Sequence, residues 1–154
     1  MDKSNNLIDL YSEKILELAC NISLYERLKF PDITIKKRAP VCGSMIAVDL
    51  KITDEKVTAF AQDVKACALG QASASILAKD IIGKTSEELV ATRNAVKQML
   101  SGEPYILNIF TDYTFLSPAA DYKHRHASIM LALDATIEGI SEIKEPIRSR
   151  SKTY

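Results

Sequence analysis

Three side chains in this sequence have the type and placement to do chemistry. Cys42 lies in APVCGSM, residues 39–45, between Pro40 and Gly43, a composition that marks a turn. Cys67 lies in KACALGQASASIL, residues 65–77, just ahead of a run of small residues that reads as the start of a helix. A thiolate at such a point is stabilised by unpaired backbone N–H groups and the positive end of the helix dipole, which makes Cys67 a candidate ligand or nucleophile. His126 precedes Met130, Leu133 and Ile137 by four, seven and eleven residues, so it shares their helical face and points inward. Two thiols and an imidazole are donors suited to iron or zinc. Their spacing lacks the C-x-x-C pairs of a zinc site, and on spacing alone His126 reads more readily as a hydrogen-bonded core histidine than as a ligand.

These groups meet only if the chain brings them together. In SMIAVDLKIT, residues 44–53, Ile46, Val48, Leu50 and Ile52 alternate with Met45, Ala47, Asp49 and Lys51, the period of a strand with one buried face. The polar DEK at 54–56 turns the chain, VTAFAQDVKA continues it as a hairpin towards Cys67, and DITIKKRA upstream supplies a third strand. Leu7, Tyr11, Ile15, Leu18 and Ile22 align on one face of a helix over 6–23. Cys20 falls about 200° from Leu18 on that wheel, a small, partly buried residue without a role.

After Cys67 a helix is expected from about Gly70 to Ile82, closed by Gly83 in a left-handed turn. Thr85 and Glu88 form a capping-box pattern for another, running to Gly102. EPYILNIFTDYTFLSP is β-like in composition but placed as a helix connection, and stays unassigned. Ser117 and Pro118 offer a cap and first-turn proline for a last helix bearing His126 and Ile140, with a frayed tail from about 142. The sum is one α+β domain over 1–154, a two-layer fold with a three-stranded antiparallel sheet and helices packed on one face.

Bulk composition narrows the function. Twenty basic and 20 acidic residues cancel, which argues against nucleic acid as a partner. No apolar run reaches the roughly 20 residues needed to span a bilayer, and the start lacks a secretory pattern, so a cytoplasmic protein without a membrane partner is expected. Three cysteines favour reduced thiols over disulfides. No phosphate-cradling glycine loop or hydrolytic constellation is present, and no enzyme activity is expected. Lys36, Lys37 and Arg38 lie near the cysteine turn, placed to help dock an acidic partner.

APVCGSM, KVTAFAQDVKACALGQASASILAKDIIGKTSEEL, RHASIMLALDATIEGI and the opening LYSEKILELA together resemble the U-type iron–sulfur cluster scaffold family, the kin of NifU, IscU and SufU, over roughly residues 9–141. The resemblance implies a fold of the SufE/NifU type and a transient cluster, of the 2Fe–2S kind, built with sulfur from a cysteine desulfurase and passed to carrier or recipient proteins. It implies Cys67 as sulfur acceptor and Cys42, Cys67 and His126 as metal ligands, with a homodimer as one possible assembly. Two positions depart from the family pattern: Ser44 replaces its loop aspartate and Ala127 its third cysteine. A tetrahedral site wants four donors, so one position stays open to water, to Asp63, to Ser44 as an accessory, to a second subunit or to the desulfurase. Two alternatives follow from those losses: a cluster-free module that regulates the assembly machinery, and a zinc-binding variant.

Overall fold

The computed structural model describes residues 11–24, 26–40 and 43–144. Three strands, β1 (Ile33–Ala39), β2 (Ser44–Thr53) and β3 (Lys56–Lys65), form an antiparallel sheet in the order β1-β2-β3. Among the described residues four α-helices accompany it: α1 (Glu13–Cys20), α2 (Ala68–Asp80), α3 (Ser86–Leu100) and α4 (His126–Lys144). The helices lie on one face of the sheet, the two-layer α+β arrangement expected from the strand alternation. Even-numbered residues of β2 face them: Leu50 lies beside Gly139 of α4, where an added Cβ would come within 2.7 Å of its Cδ1. Odd-numbered residues face the other way.

The hairpin between β2 and β3 turns on Asp54 and Glu55, both at positive φ (52° and 64°), the left-handed pair that matches the twist of the strands. Gly83 and Gly102 end α2 and α3 at φ 88° and 76°. The Thr85–Glu88 capping box forms in full, the Thr85 hydroxyl accepting from Glu88 N and the Glu88 carboxylate from Thr85 N.

Three boundaries differ from the sequence expectation. Helix α1 begins at Glu13, where Ser12 caps it through a bond from Ile15 N (3.3 Å). It ends at Cys20, where Asn21 folds back to donate to Glu17 O and Leu18 O. Tyr11 is therefore outside the helix, and Leu7 lies outside the described residues. Ser117 and Pro118 do not start the last helix. They lie inside a run of 3-10 turns over Thr111–Asp121, pinned to α2 by Tyr113, whose hydroxyl donates to Ser73 O (3.1 Å). α4 instead starts at His126 and runs to Lys144.

Residues 26–32 cross the outer face of the sheet. Gln62 N on the edge of β3 donates to Leu24 O, and the chain then crosses to β1, where Asp32 N donates to Leu50 O. Asp49, fully buried on that face, holds the crossing: it accepts from Arg27 (2.6 and 3.0 Å), Leu28 N (3.0 Å) and the Thr34 hydroxyl (2.5 Å). Burial pushes the Asp49 carboxyl up, but these donors and the Arg27 charge outweigh it and hold it below the usual carboxylate range.

Removing the carboxylate strands the Leu28 N–H and the Thr34 hydroxyl while half-exposed Arg27 returns to water, so Asp49→Ala should cost about 2–4 kcal/mol in denaturant unfolding. A folded-state pKa below the unfolded one means that the Asp49 contribution is complete above about pH 4 and is lost as pH falls through the depressed value. Stability of Asp49→Asn, followed by denaturant titration across that acid range, should therefore depend on pH less steeply than that of the wild type.

Candidate functional site

The antiparallel register decides what the sheet rim presents. Ala39 pairs with Ser44 and Met45 with Lys65, so the β1–β2 turn and the exit of β3 lie at one end of the sheet. Gly43, at φ 73°, donates to Ala39 O (2.9 Å) and closes that turn. Cys42 itself lies outside the described residues. Two residues beyond Lys65, Cys67 occupies the N-cap of α2 with extended backbone (φ −66°, ψ 171°) and is half-buried.

Cys67 Sγ lies 3.5 Å from the Ser128 hydroxyl, and Ser128 Oγ lies 3.0 Å from Ser44 Oγ. One hydroxyl on α4 thus touches both the start of β2 and the cap of α2. Gly70 makes this approach possible: a Cβ there would collide with Ser128 Oγ and come within 2.7 Å of Ala66 Cβ. The small residues after Cys67 are therefore what allow α2 to lie against α4. Ser73 reinforces the contact by donating to Ile129 O (2.5 Å).

Burial pushes the Cys67 thiol up. The Ser128 hydroxyl, the backbone N–H groups of Gly70 and Leu69 and the Arg125 charge together outweigh burial and bring it below the ordinary thiol range. These groups favour the thiolate, the form that attacks sulfur and binds metal. Cys20, by contrast, is exposed at the end of α1.

His126 is the first residue of α4, and its Nε2 lies 2.8 Å from Ala119 O. A carbonyl only accepts, so Nε2 carries the proton and Nδ1 holds the lone pair available to a metal. A backbone carbonyl on the remote nitrogen is the partner that orients ligating histidines. Ala127 is exposed and brings no donor to the site. Ser44 is buried, with its hydroxyl against Ser128. Asp63 lies on the opposite face of the sheet: its neighbour Gln62 donates to Ala74 O of α2, so Asp63 points away from the helix layer and lines a groove with Lys36 and Arg38. Among the described residues, no group of three or more His, Cys, Asp and Glu side chains is close enough to hold a metal ion.

Ser128 and Arg125 are site residues that motif reading does not single out. The signal for Ser128 was its place on the helix of His126, two residues on. Replacing its hydroxyl leaves only the backbone N–H groups and Arg125 against the cost of burying the thiolate. Alkylation of Cys67 by iodoacetamide, followed peptide by peptide in mass spectrometry, should accelerate at a higher pH in Ser128→Ala than in the wild type. An unchanged pH profile would remove Ser128 from the site.

Comparison with known proteins agrees with this architecture. The family model for the NifU-like N terminal domain matches residues 10–143. The iron-sulfur cluster assembly scaffold protein IscU of Thermotoga maritima is 27% identical over 137 residues, 89% of this chain and 96% of that protein. The mitochondrial iron sulfur cluster assembly protein 1 of Debaryomyces hansenii is 30% identical over 128 residues, 77% of this chain and 70% of that protein. Among solved structures, a nitrogen-fixing NifU-like protein (N-terminal) from Brucella abortus superposes with a TM-score of 0.87 at 42% identity, covering 90% of this chain and 97% of that one. A SUF-system scaffold from Fervidobacterium islandicum shares the fold at 18% identity and a TM-score of 0.80, covering 86% and 98%. With the sheet, the capped helices and the thiol at the rim all in place, the chain belongs to the NifU-like N-terminal domain family.

Proposed function

We propose that this protein is an iron–sulfur cluster assembly scaffold that accepts sulfur at Cys67 and carries a labile cluster as cargo. The observation that carries the reading is the thiol of Cys67 at the N-cap of α2, held by Ser128 and two backbone N–H groups and biased towards thiolate. The family membership and the relatives' scaffold names support it. The Cys67 thiolate attacks the outer sulfur of a cysteine desulfurase persulfide, the donor S–S bond breaks, and the donor leaves as a thiolate. Cys67 then holds the persulfide, and its conversion to cluster sulfide takes two electrons from an external reductant.

Cys42, next to Gly43 in sequence, and the Nδ1 of His126 are the further ligands in this reading. The fourth position is supplied by water or by the partner, since Ala127 has no donor and Asp63 lies on the other face. Three protein donors and one open position suit a 2Fe–2S cargo that is passed on to a carrier or recipient protein. No bond of a consumed substrate is turned over, so the role is that of a carrier and not an enzyme. The absence of a cysteine at Ala127 and the inward turn of Ser44 favour, as a second reading, a cluster-free regulator of the same machinery.

Anaerobic reconstitution with Fe2+, cysteine, a desulfurase and a dithiol reductant separates the two. The scaffold should develop visible absorption with iron and sulfide in equal amounts, and Cys42→Ala and Cys67→Ala should each lose nearly all of it. A colourless, iron-free wild type that still binds the desulfurase would favour the regulator. Stoichiometric zinc in protein purified without chelators, unmoved by iron, would mark a zinc-binding variant.

A further inference from the structure

A cluster of basic residues lies on the outer face of the sheet, in a groove of about 360 Å³ near the end of the sheet where β3 leads to Cys67. Its floor is Met45 and Ala47, and its walls carry Lys36, Arg38 and Lys65, with Asp63 as the single acid. The register arranges them as a grid. Arg38, Met45 and Lys65 form one cross-strand row, and Lys36, Ala47 and Asp63 form the next. Lys36 and Arg38 are thus about 7 Å apart along β1, and Arg38 and Lys65 sit two strand spacings apart, about 10 Å.

The other two cations of this groove are already committed, Arg27 to Asp49 and Lys37 to Glu138 (3.2 Å). Lys36, Arg38 and Lys65 are exposed and make no ion pair among the described residues, and Arg38 donates only to Met45 Sδ (3.0 Å). Three free cations around a shallow apolar floor stand out in a chain whose charges cancel.

We propose that this face is a docking surface for an acidic segment of another protein, its carboxylates paired with Lys36, Arg38 and Lys65 and one apolar side chain seated on Met45 and Ala47. Charge complementarity selects the occupant. Alternate side chains of an extended segment recur about every 7 Å on one side, the spacing of Lys36 and Arg38. A nucleic acid strand suits the face less, because three cations on a chain with no net positive charge release few counterions. Cys67 and Ser128 lie on the helix side of the sheet, so a partner held here leaves the thiol open to a second protein. The inference stands apart from cluster carriage and holds even if Cys67 never receives sulfur.

The test uses the full chain and a fluorescein-labelled extended peptide with glutamates at alternate positions around one leucine, followed by fluorescence anisotropy at low salt. The wild type should bind it saturably and lose affinity as salt rises. The double reversal Lys36→Glu with Arg38→Glu should weaken binding about tenfold or more. Reversing Lys56 and Lys97, exposed cations away from the groove, makes the same change in net charge and should alter binding by less than about twofold. Lys36→Gln with Arg38→Gln repeats the test without reversal, should the first variant fold poorly. Equal losses in the two reversal pairs, no binding by the wild type, tighter binding of a single-stranded oligonucleotide, or wild-type self-association abolished by the reversal would each overturn the proposal.

Discussion

The close approach of α2 to α4 at Gly70 and Ser128 is the contact on which the site depends. A Cβ at Gly70 would collide with the Ser128 hydroxyl, so any other residue there must turn that hydroxyl away or push the two helices apart. Separation would withdraw Ser128 from both Cys67 and Ser44 and break the hydroxyl chain that joins the cap of α2 to the start of β2. The alanine- and serine-rich composition of α2, unremarkable as a helix former, is thus a packing requirement: Leu69 to Ala78 are buried almost without interruption except at Gln71. Packing density in such an interior leaves no room for a methyl group, and the cost of one is felt directly at the thiol.

The sheet separates two kinds of chemistry. Its helix side buries apolar residues and holds one thiol beside hydroxyls and N–H groups. Its outer side carries the strap clamped by Asp49 and a grid of cations on small residues. Ala47 and Ala61 are small where a larger odd-numbered residue would cover the strap crossing or fill the groove. The alternation of a strand, period two, is what lets ten residues of β2 serve both sides at once.

Much of this was legible from residue types. The alternation in 44–53, the polar turn at 54–56 and the Thr85–Glu88 capping box rest on local geometry and appear as expected. Gly83 and Gly102 likewise sit where left-handed turns end helices. The segment before α4 was not legible, because a 3-10 run has no period of its own in sequence and is held by Tyr113 reaching a carbonyl 40 residues away. At the site, the place of Cys67 at a helix start was readable, since capping is local. Its contact with Ser128 spans 61 residues and follows from Gly70, whose need for close approach cannot be read without its neighbour. The face that Asp63 takes depends on register, and the orientation of the His126 ring depends on a carbonyl supplied by the 3-10 run.

Sulfur acceptance at Cys67 is tested most directly by the mass of the Cys67 peptide after anaerobic incubation of the protein with a cysteine desulfurase and cysteine. The account predicts a gain of one sulfur atom on that peptide, reversed by a reducing thiol and weaker in Ser128→Ala. An unmodified Cys67 peptide, with the added sulfur found instead on exposed Cys20 or on no cysteine, would contradict it.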